Sequence, residues 1–325
     1  MGTQGKVSPS PSVSIAMGTL NAEKYLPELL ESVFRQSLQP AELVVCDEGS
    51  TDRTLALIEE FARRVSYPVR IFHNPVILRP TKNFEKAISL CEGELIALCD
   101  ADDLWYPDKL RTLAEFLQSN PDAGGVFSDA DLIDGSSARL GERLWQRAMF
   151  RPSRAGFSEL DTARLLRGNV VTGATLMIRS SLRSKLLPIP ETWIHDGWIA
   201  WMLVLQSKIV GCDRRLIGYR IHGSQQTGMP SLAPGEKLRR SRATGAQDYY
   251  SVAAQFSDLL DYAKAHPGIC DDQLCRSIEK KRDHALFRAQ LKPQKWARWR
   301  EIAGRRSEYA SFAQGWMSML KDALL

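Results

Sequence analysis

The stretch VSIAMGTLN, residues 13–21, joins an apolar run of strand length to polar residues at its end. From Glu23 to Ser37, apolar residues then recur at helical spacing, which predicts an amphipathic helix. The same alternation continues to about Ser128, with further strands predicted at 42–46, 69–72, 94–99 and 125–127. Repeated alternation of strand and helix predicts an α/β domain with a mainly parallel sheet flanked by helices.

Composition sets outer limits on the class of protein. In the 325-residue chain, 44% of residues are hydrophobic and 25% are charged, which excludes a wholly disordered chain. No stretch approaches the roughly 20 apolar residues that span a bilayer. Residues 1–12 are polar and Ser/Pro-rich, so we predict a flexible N-terminal tail. Because that tail has no apolar segment, a cytoplasmic location is expected.

Beyond Asp129 the strand–helix pattern loosens. Residues 134–157 are polar and rich in Gly and Arg, which indicates a loop. Later strands are predicted at 173–178, 208–212 and 218–220, with an apolar helix at 196–205. The chain after Gly223 is predicted to be helical. We therefore predict one main domain over residues 13–228 and a helical C-terminal region over residues 229–325.

The six cysteines show no paired CxxC spacing, so the sequence disfavours structural zinc. Cys46 and Cys99 lie inside apolar strand-like runs, where cysteine usually behaves as a small core residue. All six are expected to be reduced thiols.

Polar residues follow the first, second and fourth predicted strands. They include Thr19 and Asn21, the segment Asp47 to Asp52, and the segment Asp100 to Asp103. Because the carboxyl ends of parallel strands meet at one edge of a sheet, these residues are expected to line one crevice. The two usual Gly-rich phosphate-binding motifs are absent from the sequence.

The predicted crevice is lined by carboxylates, which repel a diphosphate unless a cation lies between them. Asp100 and Asp102 are two positions apart and so share one face of an extended segment. Carboxylate oxygens favour Mg²⁺ or Mn²⁺ over zinc. The sequence therefore predicts a divalent metal, Mn²⁺ or Mg²⁺, as cofactor.

Three motifs together resemble the family-2 glycosyltransferases, which have a GT-A fold. They are SIAMxTxN at 14–21, DEGSTD at 47–52 and DADD at 100–103. Residues Asn83-Phe84, Thr172-Gly173, His195-Asp196 and Tyr219 to Gly223 resemble the branch of bacterial surface-polysaccharide rhamnosyltransferases. The resemblance covers roughly residues 13–228 and leaves out the helical C-terminal region. It implies a GT-A, Rossmann-like catalytic domain.

The resemblance implies a role for each matched position. The donor-binding residues would be Thr19, Asn21, Asp47, Glu48, Asn83, Asp100, Ala101 and Arg220. Asp102 would bind the metal, with His222 beside the metal or the diphosphate. Asp196 would be the catalytic general base that deprotonates the acceptor hydroxyl.

Several positions leave two interpretations open. Asp52 is a candidate site residue or a helix N-cap, and His195 either orients the acceptor or is structural. Trp105 is a candidate contact for a sugar. The aromatic residues that flank Asp196 could stack on a sugar or, for the last two, belong to a helix core at i, i+3 spacing; they are Trp193, Trp198 and Trp201.

The sequence also departs from the common family pattern in places. Glu48 replaces the usual second Asp, and Leu20 stands where an aromatic residue is frequent. His195 replaces a frequent Glu, which leaves Asp196 as the carboxylate of that pair.

The expected function is an inverting, metal-dependent sugar transfer in surface-polysaccharide assembly. The donor would be a dTDP- or UDP-sugar, with dTDP-rhamnose indicated by the resemblance, and the acceptor a hydroxyl of a glycan or lipid-linked molecule. The alternatives are a catalytically inactive nucleotide-sugar-binding or scaffold protein and a sugar nucleotidyltransferase.

The C-terminal third bears on the partners of the chain. Residues 295–300 mix Lys, Arg and Trp, a composition typical of a peripheral membrane contact on the inner face of the plasma membrane. Helix packing onto the catalytic domain is the alternative. The acidic crevice argues against nucleic-acid binding, and the oligomeric state stays open.

Overall fold

The computed structural model of this protein describes residues 10–152, 157–223, 245–292 and 294–324. Most of the predicted N-terminal tail lies outside these residues, as does the predicted boundary between 228 and 229.

Within the described residues, ten strands form one sheet. Their bounds are β1 Val13–Thr19, β2 Glu42–Asp47, β3 Val69–His73, β4 Leu95–Asp100, β5 Leu104–Trp105, β6 Ala123–Ile133, β7 Arg139–Arg143, β8 Phe157–Glu159, β9 Leu176–Arg179 and β10 Lys208–Arg220. The order along the sheet is β3-β2-β1-β4-β9-β6-β10-β5, with β7 paired to β6 and β8 paired to β10.

The first four strands in this order form a parallel block. β9 then pairs antiparallel to both β4 and β6, whereas β6 and β10 pair parallel. All residues of β2 are buried, and β1 and β4 are buried along nearly their whole length. Such continuous burial is typical of parallel strands that are covered on both faces. The predicted α/β fold class is therefore confirmed, although the sheet is mixed beyond β4.

The described helices connect and follow these strands. They are α1 Leu26–Phe34, α2 Thr54–Ala62, α3 Arg79–Leu90, α4 Lys109–Ser119, α5 Leu144–Arg147, α6 Thr162–Arg167, α7 Arg183–Leu186, α8 His195–Gln206, α9 Ala246–Ala265, α10 Asp272–Ala289, α11 Lys295–Gly304, α12 Arg306–Phe312 and α13 Trp316–Leu324. The described residues from 245 to 324 are thus mostly helical, as predicted. Among the helices described here, none is both long and apolar enough to cross a bilayer.

Residues 134–157 differ from the loop that the sequence predicts, since they contain β7 and α5. Trp145 of α5 is buried, with its ring centroid 5.3 Å from that of Phe127 and 4.8 Å from that of Phe150. One buried aromatic residue in a four-residue helix is too short a pattern to show periodicity against a polar background.

The two late strands predicted at 208–212 and 218–220 are one strand, β10. Its register against β6 shifts between Cys212 and Arg215, which marks an irregularity around the charged residues there. These charged residues interrupt the apolar pattern, and so the sequence suggested two strands. The strand predicted at 173–178 begins instead as a 3₁₀ turn, Gly173–Thr175, before β9.

The described residues divide into two compact units. The first contains the sheet and takes the described residues up to Glu159, with Val171–Ile189 and Ser207–Arg220. The second takes Leu160–Val170, Pro190–Gln206 and the described residues from Ile221 onward. The domain boundaries drawn from the sequence stay a prediction.

The prediction that all six cysteines are reduced is wrong for Cys270 and Cys275, which form a disulfide. Their Cα atoms are 6.3 Å apart, a separation that a disulfide spans. Neither cysteine lies in an apolar strand-like run, which was the argument for a buried thiol. The other four, Cys46, Cys91, Cys99 and Cys212, are free and buried.

Gly93, just before β4, provides a test of packing in the parallel block. A Cβ atom at this position would lie 2.7 Å from Ser14 Oγ and 2.8 Å from Ser14 N. Ser14 Oγ accepts a hydrogen bond from Gly93 N (2.8 Å) and donates one to Glu42 (2.6 Å). We expect Gly93→Ala to lower the free energy of unfolding by about 1–3 kcal/mol, measured by urea denaturation.

Gly304→Ala is the matched control, because a Cβ at Gly304 would meet nothing within 4 Å. This variant should stay within about 0.5 kcal/mol of the wild type. Equal stability of the two variants would contradict the close approach of Gly93 to β1.

Candidate active site

The ends of β1, β2 and β4 lie side by side. Thr19 pairs with Asp47 across β1 and β2, and Gly18 pairs with Asp100 across β1 and β4. β1 is therefore the central strand of the three, and the loops that follow them begin at one edge of the sheet. The structure thus brings together the strand-end residues that the sequence predicts to share a crevice.

Asp47 is fully buried and organises the loop after β2. Its carboxylate accepts hydrogen bonds from Thr19 Oγ1 (2.9 Å), Gly49 N (2.9 Å), Ser50 N (2.8 Å) and Ser50 Oγ (2.5 Å). Gly49 has φ +84°, a left-handed conformation that glycine adopts without strain. These four hydrogen bonds engage both oxygens of the carboxylate, and the predicted contact of Asp47 with the donor stays a prediction.

Asn21 ties the loop after β1 to the loop after β2. Its Oδ1 accepts a hydrogen bond from Thr51 N (2.9 Å), and its own N–H donates to Ser50 Oγ (2.9 Å). The residue has φ +48°, which Asn tolerates better than most residues. The two loops are therefore held in one fixed relation, next to the end of β1.

Asp52 is bound to the start of the following helix and to the loop after β1. Oδ1 accepts hydrogen bonds from Thr54 N (2.9 Å) and Thr54 Oγ1 (2.5 Å), and Oδ2 accepts one from Glu23 N (3.1 Å). Of the two interpretations left open by the sequence, these contacts favour a structural role, although the N-cap residue of α2 is Arg53 rather than Asp52.

Glu48 and Asn83 are both buried. Asn83 Nδ2 donates to Cys46 O (2.9 Å) and its Oδ1 accepts from Asn74 (2.8 Å), so the amide ties α3 to β2. Burial raises the pKa of Glu48 above its ordinary value, and the neighbouring Asp47 acts in the same direction. Contacts of Glu48 and Asn83 with a donor remain predictions.

The acidic loop, residues 100–103, follows β4. Asp100, Ala101 and Asp102 are half-buried, whereas Asp103 is fully buried. Asp103 Oδ1 accepts a hydrogen bond from Arg220 N (2.8 Å). Burial, and then the nearby carboxylates of Asp102 and Asp100, raise the pKa of Asp103 well above its ordinary range. Asp103 therefore stabilises the loop through its bond to Arg220, whereas Asp100 and Asp102 are more exposed to solvent.

Arg220, the last residue of β10, is fully buried and binds the backbone of the acidic loop. Its Nε donates to Asp102 O (2.6 Å) and its Nη2 to Glu28 Oε2 (2.7 Å). Its Nη1 donates to Asp134 O (3.0 Å) and Ser137 Oγ (2.9 Å). The sequence predicts that this cation contacts the donor. The structure engages the guanidinium with protein groups, so we assign it a positioning role, and direct donor contact stays untested.

Trp105 does not have the exposure needed to touch a sugar, since only 2% of it is accessible. The Nζ atom of Lys109 lies 3.4 Å from the centroid of its ring. This expectation from the sequence is therefore wrong, because Trp105 forms part of the core beneath the acidic loop.

Lys109 is a residue that the sequence analysis missed. It is fully buried in α4, and its Nζ donates to Ala174 O (2.6 Å). Burial lowers the pKa of Lys109 to about 7, and nearby Cys99, Asp103 and Asp100 oppose that shift. A lysine within an amphipathic helix is normally exposed, so no sequence signal singles it out.

Asp196 lies in the first turn of α8, in the second unit, and is half-buried. Its Oδ1 accepts a hydrogen bond from Asn169 Nδ2 (3.0 Å), within the same unit. The sequence analysis missed Asn169, which is 27 positions away and has no motif around it. This contact orients the carboxylate that the resemblance identifies as the base.

The neighbours of Asp196 are mostly structural. His195 is buried, and burial lowers its pKa to about 4, so the ring is neutral near pH 7. Trp198 and Trp201 are buried, which bears out the helix-core interpretation, and Trp193 Nε1 donates to Gln255 O (3.0 Å).

His222 is a half-buried residue of the second unit, and its predicted place beside a metal stays a prediction. Across the described ranges, no group of three or more His, Cys, Asp or Glu side chains is arranged to hold a metal ion. The acidic loop still fits a cation that takes one or two carboxylates and completes its shell with phosphate oxygens and water. Mg²⁺ is usually held in this way.

Residues 14–184 match the sequence model of Glycosyl transferase family 2. This chain belongs to that family. The match covers β1 to β9 and includes the strand-end motifs and the acidic loop. The chain is therefore a glycosyltransferase, as the sequence motifs indicated.

A curated relative agrees with this assignment, and two solved structures share the fold. An uncharacterized glycosyltransferase of Nostoc sp. is 27% identical over 240 residues, 71% of each chain. Crystalline S. aureus TarS 1–349 in complex with UDP-GlcNAc matches with a TM-score of 0.59 and 17% identity, over 93% of this chain and 81% of TarS. The mannosyltransferase PcManGT from Pyrobaculum calidifontis, in complex with GDP-Man and Mn²⁺, matches with a TM-score of 0.55 and 16% identity, over 96% of this chain and 79% of PcManGT. The GT-A fold is thereby confirmed.

Arg220→Lys tests the positioning role of the guanidinium. Lysine provides one point charge in place of a fork of donors, so the groups that Arg220 bonds lose partners. We expect the free energy of unfolding to fall by about 3–5 kcal/mol, because a buried ammonium cannot bond all the acceptors that the guanidinium satisfies. Chemical denaturation measures this loss.

Arg215→Lys is the matched control, since Arg215 lies on the same strand in a half-exposed ion pair with Asp131 (2.9 Å). Its effect should stay below about 1 kcal/mol. If the two variants lose equal stability, the special position of Arg220 is refuted.

Proposed function

We propose that this glycosyltransferase moves a sugar from a nucleotide diphosphate donor to a hydroxyl group of a glycan or lipid-linked acceptor, with inversion at the anomeric carbon. The observation that carries the proposal is the register of β1, β2 and β4, which sets Thr19, Asp47 and Asp100 at one edge of the sheet. Ligands of open α/β sheets bind at such an edge.

The donor is proposed to lie over the loops after β1 and β2. Those loops are held together by Asn21, Ser50 and Thr51, so the surface offered to a nucleotide is preorganised. The complexes of TarS with UDP-GlcNAc and of PcManGT with GDP-Man support a nucleotide-sugar donor. The resemblance to the rhamnosyltransferase branch favours a dTDP- or UDP-sugar, dTDP-rhamnose among them.

Asp102 is the proposed metal ligand, with Asp100 beside it and His222 as a further candidate. Bound Mn²⁺ or Mg²⁺ would neutralise the negative charge that develops on the departing diphosphate. Arg220 fixes the backbone of Asp102 through its carbonyl oxygen (2.6 Å). The position of Asp102 therefore depends on the buried guanidinium of Arg220.

Asp196 is the proposed general base. Its carboxylate takes the proton of the acceptor hydroxyl as the oxygen attacks the anomeric carbon. Asn169 Nδ2 donates to Oδ1 of Asp196, which holds the carboxylate in one orientation. Attack by the acceptor opposite to the departing diphosphate, in one displacement, gives inversion.

The setting proposed for this reaction is surface-polysaccharide assembly in the cytoplasm. A lipid-linked acceptor would bring the enzyme to the inner face of the plasma membrane as a peripheral protein. These proposals rest on the resemblance and on the basic, Trp-containing composition of residues 295–300.

Asp196→Asn tests the proposed chemistry. The amide cannot accept the proton, so we expect kcat to fall about 10²–10⁴-fold in a donor-to-acceptor transfer assay. Donor affinity measured by calorimetry should be unchanged.

Glu191→Gln is the control, an exposed carboxylate five positions before Asp196 that should transfer at the wild-type rate. Wild-type turnover by Asp196→Asn would reject Asp196 as the base. Donor binding without turnover in the wild type, over a range of acceptors, would instead favour an inactive binding protein.

A further inference from the structure

Helix α13, Trp316–Leu324, has its apolar side toward solvent. Trp316 is 70% exposed and Leu324 is 64% exposed, and Met317 and Leu320 are exposed as well. The buried side carries Ser318, Asp322 and Ala323 instead. A helix of a globular protein normally presents the reverse arrangement. Exposure of these apolar side chains to water is unfavourable, and a partner that covered them would remove this unfavourable contribution.

The orientation of α13 is fixed by the buried carboxylate of Asp322. This group accepts hydrogen bonds from Arg288 Nε (2.6 Å), Arg288 Nη2 (2.9 Å), Tyr249 OH (2.7 Å) and Tyr309 OH (2.7 Å). Rotation of the helix to bury its apolar side would break these bonds and leave Arg288 unpaired in the interior. Loss of these bonds to a buried charged group would strongly destabilise the fold, so the apolar side remains exposed to solvent.

Helix α11, Lys295–Gly304, packs against α13 and adds to the exposed aromatic surface. Ile302 of α11 shares a buried cluster with Ala323 of α13. Trp296 is 75% exposed and Trp299 is 43% exposed. Arg300 is exposed as well, and it lies on the same side of the helix as Trp296 because the two are four positions apart. With Trp316, three tryptophans are exposed on the two helices.

The charge of this segment is positive. Residues 295–324 contain six Lys or Arg and three Asp or Glu. Each acidic side chain is paired with a cation, in the pairs Glu301–Lys292 (2.8 Å), Glu308–Arg305 (3.2 Å) and Asp322–Arg288 (2.6 Å). The exposed Arg300 and Arg306 make no ion pair within the part of the chain that the structure describes. An anionic surface would therefore complement the exposed cations.

We propose that the exposed faces of α11 and α13 dock on the anionic lipid headgroups of a bilayer. The indole rings would enter the headgroup region with Met317, Leu320 and Leu324, while Arg300 and Arg306 contact lipid phosphates. A two-fold dimer through the same face would place two positively charged segments against each other, and like charges oppose such an interface. This inference specifies the peripheral membrane contact of the proposed function and rests on that part of it, whereas vesicle binding can be measured independently of sugar transfer.

Cosedimentation with lipid vesicles tests the proposal on the full chain. The wild type should bind phosphatidylcholine vesicles that contain phosphatidylglycerol and bind vesicles of phosphatidylcholine alone much more weakly. The double variant Trp316→Ala/Leu320→Ala should bind the anionic vesicles about tenfold less tightly, since it removes buried apolar area. Both side chains are exposed, so the circular-dichroism melting curve should be unchanged.

A charge variant and an aromatic control complete the set. Arg300→Gln/Arg306→Gln should weaken binding to the anionic vesicles by roughly tenfold. Tyr250→Ala removes an exposed aromatic residue of α9 in the same unit and should bind as the wild type does.

Three results would overturn the proposal. The first is a wild type that binds anionic vesicles no better than neutral ones, and the second is a Trp316→Ala/Leu320→Ala variant that binds as tightly as the wild type. The third is a dimer in velocity sedimentation that the same double variant abolishes, without vesicle binding by the wild type, which would assign the surface to a second copy of the chain.

Discussion

The buried guanidinium of Arg220 links the end of β10 to three other parts of the sheet-containing unit. It donates to the backbone of Asp102, to the carboxylate of Glu28 in α1, and to Asp134 and Ser137 after β6. A fully buried cation is tolerated only when its donors are satisfied, so each of these groups is held where the guanidinium requires it. The acidic loop is therefore held in place by a residue 118 positions after Asp102, beyond the residues that match the family model.

The carboxylates at the ends of β2 and β4 have two different roles: some stabilise the loops, and others are candidates for contact with the ligand. Asp47 and Asp103 are buried and accept hydrogen bonds that shape the two loops. Asp100 and Asp102 are half-buried at the same edge of the sheet. Our proposal assigns the donor and its cation to this second pair, and the buried pair gives those residues a fixed backbone. Strand register, loop hydrogen bonds and proposed chemistry are consistent with one another at this edge.

The sequence predicted the parallel block and its acidic strand ends because both follow from short patterns with a direct geometric meaning. Alternation of strand and helix implies parallel strands, and parallel strands end at one edge. Contacts between distant positions have no such pattern, so the burial of Lys109 and the bond from Asn169 to Asp196 were missed. The outward apolar side of α13 was also hidden, because periodicity identifies a helix face but not the side on which it packs. The short helix around Trp145 lay below the length at which periodicity is visible.

Calorimetric titration of the wild type and of Asp102→Asn with a panel of dTDP- and UDP-sugars, each with and without Mn²⁺, tests whether Asp102 binds the metal of the donor site. We expect one donor to bind the wild type only with the metal present, and Asp102→Asn to lose this metal-dependent binding while its melting temperature is kept. Binding that is equally tight in the variant, or that is indifferent to Mn²⁺, would contradict the assignment of Asp102 as the metal ligand of the donor site.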